Sequence, residues 1–299
     1  MPLPVSGLVL GILSLGTVLA DFSSFFKWFC FVFACVFLVL VLLKIFLSFD
    51  IVRLELESPV VLSSFGTFSM SLMLLSTYLN TFFGFYSISL WILGIIIHII
   101  IIVLFTYRFL IRSFNLNDVY GTWWIVYVGI SMAAITSPTY HLENIGQIFF
   151  TIGFTLMIPT LILVTYRYIK LDTPEQFKPF KSIYTALFSI LIVAYISTTT
   201  NINILLLTIL YLGHLIAYII SVINLIQSRK LKFYPSFAAF SFPFVISAKA
   251  TEYIQSIKPN TIINNIFHIE LIISITLVIL ITILYLKHIN ELKKKWMNI

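Results

Sequence analysis

Long apolar runs recur along the whole chain and leave few folds open to it. The run from Leu90 to Phe105 contains one ionisable side chain, His98. A run of this length suits most of a membrane-spanning helix and far exceeds a strand. In lipid only helices and closed barrels satisfy the backbone, and barrel strands would alternate apolar and polar residues. The runs do not alternate, so the sequence predicts an all-α integral membrane protein.

The composition supports a lipid environment. Hydrophobic residues make up 60% of the chain and charged residues 10%, with a mean hydropathy of +1.07. Soluble domains carry about 25% charged residues, so too little polar surface is present here to face water. The net charge of +7 is typical of basic cytoplasmic loops and does not indicate a nucleic-acid partner. Cys30 and Cys35 share one apolar run, and we expect packing roles for them with no disulfide and no metal.

Ten segments of about 20 mostly apolar residues have the length of a spanning helix. The first carries neither a basic region nor a convincing cleavage site, so we expect a helix of the mature protein rather than a signal peptide. The predicted spans are residues 5–20, 25–46, 59–78, 87–107, 122–138, 144–166, 182–198, 203–226, 234–253 and 262–286.

Basic residues separate between the two sides of this topology. With the amino terminus in the cytoplasm, 15 of the 18 Lys and Arg residues fall on the cytoplasmic side, and only Lys27, Lys249 and Lys258 fall at or near the other. Basic loops stay in the cytoplasm, so the bias fixes the orientation. Residues 1–299 are predicted to form one transmembrane domain with both termini cytoplasmic. The cytoplasmic set is Lys44, Arg53, Arg108, Arg112, Arg167, Lys170, Lys178, Lys181, Arg229, Lys230, Lys232, Lys287, Lys293, Lys294 and Lys295.

The odd-numbered spans begin at intervals of roughly 50 to 65 residues, which predicts five helical hairpins. Odd spans carry small or helix-breaking residues, whereas even spans are rich in Ile, Leu and Phe. Two interpretations stay open: ordinary helix packing through small residues, or five inner helices around an axis with five outer helices facing lipid. The small or helix-breaking residues include Gly7, Gly11, Gly16, Ser63, Ser64, Gly66, Gly129, Ala238, Ala239 and Pro243.

Ionisable residues within spans are the first place to look for function in a membrane protein. His98 and His214 lie in even spans, where we expect packing or hydrogen-bonding roles. His268 and Glu270 are expected near the outer end of the tenth span, at the interface. No motif of a soluble enzyme occurs, and we expect no catalytic residue and no cofactor. No acidic residue is expected at mid-depth, which argues against a metal-cation transporter.

Lys249 lies in the ninth span, about 22 Å from its cytoplasmic start and therefore in the outer part of the bilayer. Three interpretations are open. Its side chain extends to the outer headgroups, or it pairs with Glu252 three residues later, or its charge attracts anions at an outer pore mouth.

Several segments resemble the tellurite-resistance/dicarboxylate transporter family, which also includes the plant slow-type anion channels and fungal malate carriers. The similarity is spread over the whole chain, and the most specific match is the ninth span, residues 233–251 (FYPSFAAFSFPFVISAKAT). Other matches are residues 4–16 (PVSGLVLGILSLG), 58–68 (SPVVLSSFGTF), 123–138 (WWIVYVGISMAAITSP), 166–167 and 178–179.

The resemblance implies ten helices in five hairpins, a central pore lined by the odd helices, and a homotrimer with one pore per subunit. It also implies a phenylalanine that occludes the pore near mid-membrane, and the match places this residue at Phe242, before Pro243. Tyr127 stands where the family often has proline, and residues 185–189 lack its Ala-Pro step. Weaker helix breaks are therefore expected in the fifth and seventh spans.

The leading hypothesis is a conduit for small inorganic or carboxylate anions. Pore-lining or helix-breaking roles are assigned to Gly11, Ser63, Gly66, Gly129, Ser241 and Pro243, and an anion-attracting role to Lys249. Hydroxyls such as Ser64 would replace part of an anion's hydration. One alternative is a proton-coupled C4-dicarboxylate or tellurite exporter, for which His98 and Lys249 are poor titratable candidates. A membrane-embedded enzyme and a structural or sensor subunit are further alternatives.

Overall fold

The computed structural model describes residues 1–297, and every regular element in that range is a helix, with no strand. A helix satisfies its backbone hydrogen bonds within one segment, as a chain this apolar requires. The predicted all-α class is confirmed. The α-helices are α1 (Val5–Leu19), α2 (Ser24–Leu47), α3 (Phe49–Glu55), α4 (Pro59–Phe83), α5 (Ile88–Phe105), α6 (Thr122–Tyr127), α7 (Ser131–Thr136), α8 (Glu143–Lys170), α9 (Ile183–Thr198), α10 (Ile204–Ser228), α11 (Phe242–Ile257) and α12 (Thr261–Met297).

Helices that follow one another in the chain pack together, and short local signals turn the chain between them. The contacting pairs are α1 with α2, α4 with α5, α7 with α8, α9 with α10, and α11 with α12. Gly84 ends α4 with φ of 55°, a conformation that suits glycine. The Asn203 side chain accepts from the amides of Leu205 and Leu206 and so caps the start of α10.

The first member of each pair contacts its neighbours in a closed ring. Helix α1 contacts α4, α4 contacts both α6 and α7, α7 contacts α9, α9 contacts α11, and α11 returns to α1. We call these five segments (α1, α4, α6–α7, α9 and α11) the inner ring. Its members are largely buried: every residue of α1 from Val5 to Gly16 is buried.

The remaining long helices bury one stripe and expose apolar side chains on the rest of their surface. In α10 the exposed residues include Leu205, Ile209, Leu212 and Ile216, each more than half exposed. An apolar surface of this extent suits contact with lipid rather than water. The buried stripe of α10 recurs at helical spacing and contains Leu207, Leu210, His214, Ala217, Ser221, Asn224 and Ser228.

Within the described residues, 6 helices are long and apolar enough to cross a membrane. One of them, Pro59–Arg112, turns at Gly84 and contains two of the predicted spans. The other three predicted spans correspond to α1, which has 15 residues, to the broken α6–α7 segment and to α11, which has 16. Because these pieces are shorter than a spanning helix of about 20 residues, the ten-span topology stays a prediction. The side chains of Lys293 and Lys295 lie outside the described part of the chain.

Candidate functional site

Two cavities lie within the inner ring, one of about 50 Å³ and one of about 150 Å³. All five inner segments contribute to both. In four of the five, the contributing residues lie three or four positions apart, which is about one helical turn or 5.4 Å. The cavities are therefore consecutive levels on one axis. The first is lined by Gly7, Met70, Gly129, Ile190 and Phe242 among others, and the second by Ser14, Leu74, Met132, Val193 and Ile246 among others.

Phe242 is the first residue of α11 and lines the first cavity beside Pro243. Its side chain is buried, with 5% exposed. The helix starts there because Ser241, with φ of −92° and ψ of −85°, leaves the helical conformation after the short 3-10 helix Pro235–Phe240. The ninth predicted span is thus two pieces. The phenyl group is placed at their junction, one turn before Ile246 of the second cavity.

Gly11 allows α1 to approach this junction closely. A Cβ atom at Gly11 would lie 2.7 Å from Ser241 Cβ and 2.9 Å from the backbone nitrogen of Phe242. Ser241 Oγ lies 3.0 Å from Gly7 O and 2.6 Å from Ala238 O, so its hydroxyl bridges α1 and the 3-10 helix. Gly11 stands in an unbroken helix and, like Ser241, is not among the residues that line either cavity. Both position Phe242 through contact.

A second break divides the fifth predicted span between α6 and α7, at residues 128–130. The expectation of a weak break here is wrong, because His98 of α5 stabilises it from outside the segment. His98 Nε2 donates to the carbonyl of Val126 at 3.1 Å, and its Nδ1 lies 2.7 Å from Ser69 Oγ. The predicted hydrogen-bonding role of His98 is confirmed. Helix α9, by contrast, is unbroken, in agreement with its weak helix-breaking sequence.

The small residues around His98 make room for its ring. A Cβ at Gly129 would lie 3.1 Å from His98 Cε1, and a Cβ at Gly66 would lie 3.6 Å from the same atom. Gly129 also lines the first cavity, whereas Gly66 lines neither. Ser63 hydrogen-bonds Thr122 Oγ1 at 2.8 Å and likewise lies away from both cavities. Helix α4 continues unbroken through Ser63 and Gly66.

Lys249 lines the second cavity together with Tyr253. Its ammonium lies 2.6 Å from Glu252 Oε2 and 3.8 Å from Asp21 Oδ2. The interpretation that Lys249 pairs with Glu252 is therefore confirmed. Two carboxylates therefore accompany the positive charge beside the second cavity. The sequence spacing indicated the pairing with Glu252, whereas nothing in the sequence indicated the proximity of Asp21.

Arg167, which we expected at the cytoplasmic side, is buried with 1% exposed. Its guanidinium donates to Tyr120 Oη at 3.1 Å, to Asp172 O at 3.0 Å and to Thr173 Oγ1 at 2.8 Å. No carboxylate of the described residues lies within ion-pair distance of it. Burial raises the pKa of the Tyr120 phenol, and the charge of Arg167 acts on that pKa in the opposite direction.

Glu270 is not interfacial, and the expectation that it lies at the outer surface is wrong. Its side chain is fully buried, 3.1 Å from His214 Nε2, and it accepts a hydrogen bond from Thr251 Oγ1 at 2.7 Å. A buried carboxylate is tolerated only with such partners, and they come from α10 and α11, which local sequence cannot reveal. The cluster lines neither cavity. Across the described residues, no three His, Cys, Asp or Glu side chains come together as a metal site would require.

A family model described as SLAC1, the voltage-dependent anion channel, matches residues 1–289. Among curated proteins, none matches the chain.

Proposed function

Because the chain belongs to the voltage-dependent anion channel family, we propose that it passes small inorganic or carboxylate anions across the cell membrane. The family comprises channels and transporters rather than enzymes. One observation carries the proposal for this chain: a closed ring of five inner segments encloses two cavities stacked on a single axis. An axial path through a helix ring offers an ion the protein-lined, lipid-free route that it needs.

We place ten spans, as five hairpins, in one transmembrane domain. The five contacting pairs of sequential helices support this arrangement. The short pieces also lengthen when their 3-10 turns are included: residues 122–140 cover α6, α7 and the turn after them, and residues 235–257 cover α11 and the turn before it. Both ranges approach the length of about 20 residues that a bilayer demands.

The electrostatics of the inner ring favour anions. No Asp or Glu is among the described residues that line either cavity, whereas Lys249 lines the second. Arg167 of α8 carries a buried positive charge without a carboxylate partner, outside the inner ring and away from the lining of both cavities. A conduit for cations would place carboxylates along its path. A lining with one lysine and no carboxylate supports passage of anions through a weakly polar path.

Phe242 is the residue we propose as the occlusion. Its ring stands where the first cavity gives way to the second, on the first residue of a helix that follows a break. Opening would require a different rotamer of this side chain or a movement of α11. Replacing the ring by a methyl group would leave space at that level without changing any charge.

The test is chloride flux from liposomes containing purified protein. Phe242→Ala is expected to raise the flux about tenfold or more, which corresponds to a barrier lower by about 1.4 kcal/mol. Phe244→Ala serves as the control, because Phe244 is fully buried on the same helix yet lines neither cavity. Equal flux through wild type and Phe242→Ala, with both proteins folded by size-exclusion chromatography, would contradict the occlusion.

Proton-coupled export of a C4-dicarboxylate or tellurite is the second candidate, and the His214–Glu270 pair is the observation that favours it. Proton coupling needs a titratable group inside the protein, and this pair is fully buried. Neither residue lines a cavity, which favours the simpler conduit. Flux of malate measured with and without a proton gradient separates the two mechanisms, because only the exporter depends on the gradient.

A further inference from the structure

We propose that Glu252 sets the electrostatic potential at the second cavity by neutralising Lys249, so that anion flux rises when this carboxylate is protonated or removed. The inference rests on the proposed function and adds a selectivity-determining residue to it. The ion pair on α11 brings a carboxylate against Lys249, the one cationic side chain among the described residues that line a cavity.

The three charged groups form a compact cluster. Lys249 Nζ lies 2.6 Å from Glu252 Oε2 and 3.8 Å from Asp21 Oδ2. The side chains of Lys249 and Glu252 are 17% and 20% exposed, whereas that of Asp21 is 68% exposed. With both carboxylates ionised, the cluster carries a net charge of −1. A passing anion would meet repulsion there unless a carboxylate loses its charge.

The cluster is placed so that its charge matters to the cavity. Lys249 and Tyr253 line the second cavity, and the ammonium lies 4.9 Å from the centre of the Tyr253 ring. Glu252 and Asp21 do not line the cavity. The lysine stem is flexible, so an ammonium released by Glu252 is free to turn toward the cavity. Glu252 therefore acts on the path through Lys249 rather than by contact with an anion.

The groups around Glu252 leave Lys249 as its main electrostatic partner. The charged residues that act on it are Lys249 and Asp21. On α2, Lys27 lies over the rings of Trp28 and Tyr78 instead. On α12, Glu270 is bonded to His214 and Thr251, and His268 is exposed. Protonation of Glu252 thus changes the charge of this cluster without an offsetting group among those described.

Two substitutions produce a graded series of charge at one place. Glu252→Gln brings the cluster to zero, and Glu252→Gln combined with Asp21→Asn brings it to +1. Both keep the size of the side chains and replace one carboxylate oxygen, an acceptor, by an amide NH2 group, a donor. If the charge governs entry, chloride flux must follow the order wild type, single variant, double variant.

The experiment is chloride flux into liposomes with the outer pH varied, in the wild-type and Phe242→Ala backgrounds. Lowering the pH from about 7.5 to about 5 is expected to raise the flux, because carboxylates gain protons as the pH nears their range. At pH about 7.5 Glu252→Gln is expected to raise flux about two- to tenfold and to weaken its pH dependence. Lys249→Gln is expected to lower flux at pH about 7.5, because the two remaining carboxylates give the cluster a charge of −2.

Glu143→Gln is the matched control, since Glu143 begins α8 on the same predicted side and lines neither cavity. It should match wild type in flux and pH profile. If flux is the same in wild type and Glu252→Gln at every pH, this inference is wrong, whereas the proposed function is unaffected. If neither the wild type nor any variant, Phe242→Ala included, passes chloride, the proposed function is wrong and this inference fails with it.

Discussion

Trp124, a residue of the inner ring, has an unpaired polar group at the first cavity. It lines the first cavity, is 2% exposed, and its indole nitrogen has no hydrogen-bond partner among the described residues. Leaving a buried N–H unpaired costs about 1–3 kcal/mol, so its presence in a native core calls for a reason. We propose that an anion in the first cavity supplies the missing acceptor.

Trp124→Phe removes this N–H and keeps an aromatic ring. We expect chloride flux to fall about three- to tenfold, the effect of losing a hydrogen bond of about 1 kcal/mol to the anion. Two effects on thermal stability oppose each other here, because an unpaired polar group is lost while the smaller phenyl ring leaves a void.

Trp123→Phe provides the opposite case. The Trp123 indole donates to the carbonyl of Asp118 at 3.0 Å, and the residue lines neither cavity. Its loss should lower stability and spare flux. Unchanged flux for Trp124→Phe would show that its N–H plays no part in conduction.

The single residues that the sequence indicated least well are those whose partners are distant in the chain. His98 and His214 stood out as ionisable groups in apolar helices, and a hydrogen-bonding role followed from that. Glu270 was misplaced because its partners, His214 and Thr251, lie 56 and 19 residues away. Burial of a carboxylate depends on such partners, and hydropathy along the chain does not record them.

At the scale of elements, the lipid-facing helices were predictable and the inner ones less so. The spans predicted at 25–46 and 203–226 are α2 (Ser24–Leu47) and α10 (Ile204–Ser228). The spans predicted at 122–138 and 234–253 are interrupted, because tertiary contacts such as the His98–Val126 hydrogen bond stabilise the break. Helix α3, seven residues long, was missed because its length falls below any periodic signal.

The approach of α1 to α11 depends on a glycine, which gives a prediction about two elements. Gly11→Ala would place a methyl group 2.7 Å from Ser241 Cβ and 2.9 Å from the Phe242 nitrogen, so the helices must separate. We expect a loss of about 1–3 kcal/mol in stability, the usual cost of overpacking, measured as a lower unfolding midpoint in detergent.

Gly7→Ala is the matched control on the same helix. Its methyl group would lie 3.3 Å from Ala238 Cβ, a distance that a small shift relieves, and the midpoint should change little. Equal effects of the two substitutions would show that Ser241 and Phe242 move freely away from α1, and that the junction is not held by this contact.

For the whole molecule, we propose the homotrimer with one path in each subunit that the family resemblance implies. The closed inner ring supports a path within the subunit, since no second chain is needed to complete it. Light scattering of purified protein, corrected for detergent, should give a protein mass of about three times 34.3 kDa. A mass of one chain in mild detergent, with flux intact, would remove the trimer from the proposal.

Phe242 and Glu252 stand on one unbroken helix, ten residues apart. Suppose that a proton on Glu252 favours the open position of the Phe242 ring. Thermodynamic linkage then requires that the open position raise the affinity of Glu252 for its proton by an equal factor. Opening would in that case be accompanied by uptake of protons from the surrounding medium, and the medium's buffering would become one of the determinants of how long the path stays open.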